Sequence, residues 1–200
     1  MKKDLFKYLI EFVIVAFGVF LGIYLNGRGD DQQVTEQKQK ALENILSELE
    51  HNREALQIAI KYHELIKVNF DSLMKTIPVE TYQQPYFANK AFKYVYIKGW
   101  GGYGFADFED TAFEVAKMSG ALQNMDIDLI QAISGIYKKL DAQNSLQNTL
   151  QNRMFQVSSA STTYDVIGNV ALLTGDNLGM EKGLLAALDE RIVAIKEMSK

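Results

Sequence analysis

The chain has 200 residues, 21 basic and 25 acidic side chains, two histidines and no cysteine. The first 27 residues hold three basic and two acidic ones, so the remainder carries 18 against 23, a net charge of −5. A mildly acidic body lacks the positive footprint of a nucleic-acid binder, so no nucleic-acid partner is expected. Without cysteine there is no disulfide framework to read.

Leu5–Leu25 is apolar except for Lys7 and Glu11, both near its start. Crossing a bilayer takes about 20 mostly apolar residues, so this stretch reads as a transmembrane anchor. A cleaved signal peptide is the competing reading. No small-residue cleavage site follows, however, and Glu11 is out of place in such a peptide. Lys2, Lys3 and Lys7 precede the stretch and Arg28 alone follows at once. That asymmetry predicts a cytoplasmic N-terminus and a body in the periplasm of a bacterial inner membrane. The divisions read as a cytoplasmic tail (1–4), an anchor (5–27), a juxtamembrane break (28–34) and a helical bundle (35–200).

Asn26–Asp31, with two glycines, is a place where the helix either bends or runs through. Leu42, Ile45, Leu49, Asn52, Leu56, Ala59, His63, Ile66, Phe70, Leu73 and Ile77 then recur at spacings of three and four. This is a heptad seam over five repeats, ended by Pro78. Later helices of the same chain are expected to cover it, since they too need a partner face; pairing between chains is the alternative. Asn52 and His63 read as register-setting positions or as a local gap open to water.

The aromatic loop, 78–107, contains nine of the chain's 22 aromatic residues. Phe92–Lys98 is the only strand-like run and suits half of a short hairpin. Gly99, Gly101 and Gly104 match the letter of a dinucleotide fingerprint. No βαβ unit surrounds them, so they read as turns between aromatics.

Thr111 and Glu114 form a capping box that starts a short helix ending at Gly120. Asp126 caps the next, which runs to about Val157, with Ile130, Ile133, Tyr137, Leu140, Leu146, Leu150 and Met154 as its stripe. Gln143 and Asn144 weaken that stripe in the middle. Thr162-x-x-Asp165 starts a helix ending near Gly175. Asn177 starts the last, with Leu185, Leu188, Ile192 and Ile195 on one face. The expected fold is all-α: a transmembrane helix, a long helix and an antiparallel bundle with one aromatic, glycine-rich loop.

No catalytic motif emerges. His51 and His63 lack companions at metal-ligand spacing, and Asp107, Glu109, Asp110, Asp126 and Asp128 read as caps and dipole partners. No catalytic residue, metal or cofactor is therefore assigned, and the protein reads as non-enzymatic. Two surfaces stand out. Glu11, Gly18 and Gly22 share one face of the anchor, where small residues let two helices approach and a carboxylate seeks a partner. Tyr94, Tyr96, Trp100, Tyr103 and Phe105 form either a partner surface, because Tyr and Trp dominate binding hot spots, or a cap on the bundle core. Partners are then the lipid bilayer, a second copy through the anchor, and another envelope membrane protein. The alternative function is a transmembrane homo-oligomer, a channel or energising subunit, with Glu11 on a proton or ion path.

Tyr8-Leu9-Ile10-Glu11-Phe12, Gly18-Val19, Leu25-Asn26 and Leu49-Glu50-His51-Asn52 form one block of matching residues. A second runs from Ala112 through Ser119-Gly120-Ala121-Leu122, with Ile136-Tyr137 downstream. Together they resemble a family of uncharacterised single-pass inner-membrane proteins of Gram-negative bacteria. The resemblance covers residues 5–60 and 108–140. It implies an anchor, the same topology and a helical fold, and lends no catalytic residue.

Overall fold

The computed structural model describes the backbone of residues 2–199 and the side chains of Phe17 and of residues 32–199. Its regular elements are helical: α1 (Lys2–Met74), α2 (Thr111–Met118), α3 (Ile127–Phe155), α4 (Thr163–Leu172) and α5 (Leu178–Met198). The side chain of Glu11, the face it is expected to share with Gly18 and Gly22, and the other side chains of the expected span apart from Phe17 lie outside what is described. Among the described residues no helix is long and apolar enough to cross a membrane.

Helix α1 runs through Asn26–Asp31 without a break. It ends three residues before Ile77, where Thr76 turns its amide and its hydroxyl onto the Leu73 carbonyl. The seam is the core: each of its residues is buried except Leu73, which is half-buried. Its cover is intramolecular. Glu50 pairs with Lys196, Arg53 with Asp189 and Glu64 with Lys182, so α5 lies antiparallel along α1. Helix α3 packs against α5 and supplies Leu129, Ile133, Ile136 and Leu140 to the same core.

Several local expectations are corrected. No hairpin forms: Tyr94–Tyr96 is a 3-10 turn, and one isolated bridge, Pro85 to Thr162, is the sole β pairing among the described residues. A strand needs a partner strand, and this run instead turns Phe92 and Ile97 inward against α1 and α4. Helix α2 starts at Thr111 as expected, but without the box. Its N-cap residue is Asp110, whose side chain makes no capping bond. The buried Glu48 carboxylate of α1 takes over, accepting from the amides of Ala112 at 2.7 Å and Phe113 at 3.4 Å. Asp126 likewise stands at the N-cap of α3 with no side-chain bond. The box at Thr162 and Asp165 does form, in both directions.

Asn177 does not start a helix. Leu173–Asn177 is a π turn that joins α4 to α5 without interruption. Asn177 has helical backbone angles and its side chain is spent inside the core.

Candidate functional site

The segment after Pro78 is better described as a strap. It is clipped at its start to the N-terminus of α4, where the amides of Thr163 and Tyr164 donate to the carbonyls of Gln84 and Tyr82. It then runs back down α1, tied at successive turns by side chains of that helix. Asn69 Nδ2 donates to Lys98 O, 2.9 Å. The Tyr62 hydroxyl donates to Gly102 O, 2.6 Å, and accepts from Gly101 N, 2.9 Å. His63 Nε2 meets Tyr103 O at 2.6 Å. Asn52 clasps residue 109 with both amide atoms, donating to Glu109 O and accepting from Glu109 N. Glu48 then caps α2. Side chains of one helix thus satisfy the backbone of an extended segment that has no ladder of its own, which buried peptide groups require.

Gly102 and Gly104 have φ of 106° and 64°, in the region open to glycine. Gly104 is also a close approach: a Cβ there would stand 2.1 Å from the Tyr62 ring.

Four of the five aromatic residues expected to form a surface, Tyr94, Trp100, Tyr103 and Phe105, come together as a row. Tyr94 stacks on Trp100 with centroids 5.0 Å apart. Trp100 meets Tyr103 edge-on at 6.1 Å, and Tyr103 stacks on Phe105 at 5.6 Å. Phe105 ends edge-on to His63 at 6.1 Å. Of the five only Tyr96 is exposed; the other four are half-buried. Val95 and Phe87 extend the open edge, at 77% and 61% exposure. Burial pushes the phenols of Tyr86, Tyr94 and Tyr103 upward, helped in each case by other tyrosines nearby. They stay protonated hydrogen-bond donors at neutral pH. The row therefore seals the second half of α1 with its inner side and offers a contact edge with its outer one.

Beneath the row lies a polar chain that crosses the molecule. His63 Nδ1 faces Glu181 Oε2 at 2.8 Å. Glu181 Oε1 accepts from Asn177 Nδ2 at 2.9 Å, and Asn177 Oδ1 accepts from Gln143 Nε2 at 2.8 Å. All four side chains are buried. His63 and Asn52 are thus neither gaps nor open to water: each is fully enclosed and ties the strap.

No protein-family model matches this chain, and no curated protein or solved structure does.

The polar chain is sealed from solvent, and a hydroxyl near it, that of Thr174, is spent on Val170 O. No group of three His, Cys, Asp or Glu side chains among the described residues is placed to hold a metal ion. A groove of about 800 Å³ between the end of α3 and α4 is lined by Arg153, Asp165 and Asp176, but all three charges sit in solvent. Sequence reasoning passed over Glu181. The signal was present: Val170, Leu173, Asn177, Glu181, Leu184 and Leu188 keep the three-four spacing, so two polar residues occupy an apolar stripe.

Proposed function

We propose that this chain is a membrane-anchored, non-enzymatic helical module whose body, in the periplasm, docks another envelope protein through the strap. The carrying observation is the strap itself. It is folded against α1, and it leaves Phe87, Val95 and Tyr96 facing solvent beside the half-buried Trp100. Aromatic side chains held rigid on one side and open on the other suit a binding hot spot, since little side-chain entropy is lost on contact. The apolar stretch Leu5–Leu25 and the likeness to single-pass inner-membrane proteins support the anchor. Helix α1 carries that stretch and the seam on one continuous rod, so the body follows the orientation of the anchor.

A photoreactive residue in place of Tyr96 in native membranes should give a discrete crosslinked product that the same residue at the exposed Ile127 does not. No product, or the same product at both sites, rejects the partner surface. A cysteine in place of the exposed Ser145 should react with an impermeant thiol reagent once the outer membrane is opened. Protection until the inner membrane is lysed rejects the topology.

The second reading is a homo-oligomer with Glu11 on an ion path, favoured by the face that Glu11 shares with Gly18 and Gly22. Gly18→Ile and Gly22→Ile should abolish association in a membrane two-hybrid assay, whereas Glu11→Gln should reduce it slightly. Unchanged association in the glycine variants rejects this reading.

A further inference from the structure

Both ring nitrogens of the buried His63 face acceptors. The Tyr103 carbonyl only accepts, so Nε2 carries a proton. The contact between Nδ1 and Glu181 Oε2 needs one proton as well, on the ring or on the carboxyl. Asn177 Nδ2 donates to the other carboxyl oxygen and fits either placement. Together the two contacts hold one proton more than a neutral imidazole and an ionised carboxylate would.

We propose that the His63–Glu181 pair is a proton-dependent latch on the strap, closed while it holds that proton and open when it is lost. Once the proton leaves, a single N–H must serve two acceptors. A bond to an ionised carboxylate is about twice as strong as one to a neutral carbonyl, so the N–H goes to Glu181. The ring then turns a lone pair toward Tyr103 O at 2.6 Å, and that tie fails. The ties on either side, from Tyr62 to Gly102 and from Asn52 to Glu109, do not involve this proton. The strap therefore loosens between them, where Tyr103 and Phe105 carry the aromatic row.

The surroundings leave the pair to set its own charge. On α1 the neighbours are the Tyr62 phenol, used by the strap, and Glu64, which pairs with Lys182 of α5. The strap brings the phenol of Tyr103, held protonated by burial. The π turn and α3 bring the amides of Asn177 and Gln143, which do not titrate. The regulatory sense of the latch rests on the strap being the partner surface; the latch itself does not.

Trp100 is the only tryptophan and meets Tyr103 edge-on, so its fluorescence reads the strap. The full-length chain in neutral detergent should be followed from about pH 5 to 9, with far-UV circular dichroism alongside. Wild type should show one single-proton step in Trp100 emission at constant ellipticity, and so should His51→Gln. Glu181→Gln should hold the acid-form emission throughout, because its carboxamide donates to Nδ1 and leaves Nε2–H on Tyr103. A flat wild type, a step that survives in Glu181→Gln, or a step that tracks loss of helix overturns the latch. Should Glu181→Gln lose its ellipticity, His63→Gln decides: flat emission supports the latch and a retained step overturns it. A chain that passes but gives no crosslink at residue 96 keeps the latch and loses the partner reading.

Discussion

Helix α1 serves two cores built on different principles. Its stretch from Leu42 to Ile60 meets α3 and α5 in an aliphatic core where helix packs on helix. The stretch from Ile66 to Ile77, which runs three residues past the helix end, meets the strap and α4 in a smaller core around Phe70, Tyr86 and Phe92. His63 stands at the boundary, one turn from each. The first core is specified chiefly by the spacing of apolar residues, with Glu48 and Asn52 fastening α2 and the end of the strap beside it. The second is specified by side chains of α1 that bind the backbone of an irregular segment, and only then by its aromatic rings. A helix can thus organise a segment that has no secondary structure to contribute, provided it carries polar residues at the right turns.

If the cores are separate units, damage should stay local. Phe92 is fully buried between Phe70 and Tyr94, and Phe92→Ala should cost about 3–5 kcal/mol. Hydrogen exchange should then quicken at the amides of Val166 and Val170 and stay unchanged near Ile133. Equal loosening at both places would merge the two cores into one. Leu56→Ala, in the first core, should cost about 2–5 kcal/mol in denaturant unfolding. A cost well below that would mean the seam is not buried within one chain. Gly104→Ala tests the strap at the edge of the second core, where Tyr62 packs. The added methyl meets the Tyr62 ring in a left-handed backbone, and strain of about 1–3 kcal/mol should appear together with a shift in Trp100 emission. Unchanged emission would show that the strap adapts freely.

The smallest effect belongs to the clip that holds the strap to α4. Thr162→Ala should cost about 1 kcal/mol. Bonds from the Thr162 amide and hydroxyl hold the Asp165 carboxyl below its usual range. That stabilisation is present at neutral pH and is lost as pH falls through the lowered value. The gap between wild type and Asp165→Asn should therefore close in acid; a gap that persists there removes the carboxylate from the account.

What was legible follows the same division. The seam, the end of α1 near Pro78 and the box at Thr162 all rest on local spacing or local caps, and periodicity finds those. The strap does not. Its ties join Asn69 to Lys98 and Asn52 to Glu109, pairs distant in sequence, and nothing in either segment alone announces the other. The row of Tyr94, Trp100, Tyr103 and Phe105 was visible as composition, but which ring faces outward depends on those ties. Alternating aromatics at Phe92, Tyr94 and Tyr96 imitated a strand because strand periodicity needs no partner to be written, only to be formed. Glu48 was hidden as one more acidic residue on a helix, though its carboxylate stands where Thr111 was expected to cap. Glu181 and Asn177 were hidden for the opposite reason, as polar letters in a stripe whose apolar members drew the eye.

The π turn at Leu173–Asn177 has a consequence for how this gene can change. Read straight through, the apolar residues from Val166 to Ile195 form one unbroken stripe, yet the first of them line the aromatic core and the last the aliphatic one. A π turn takes up one extra residue, which sets back everything after it by up to about 100°, the angular step of an α-helix. A single stripe is thereby aimed at two destinations. Loss of one codon within those five would remove the extra residue and leave both halves facing the cores they face now, whereas loss of one elsewhere in the helix would swing one half away from its core. Codons added at the exposed turn of Ser158 and Ala160 would merely lengthen a loop. Helix α4–α5 should therefore tolerate the loss of a residue within the π turn and nowhere else along its length.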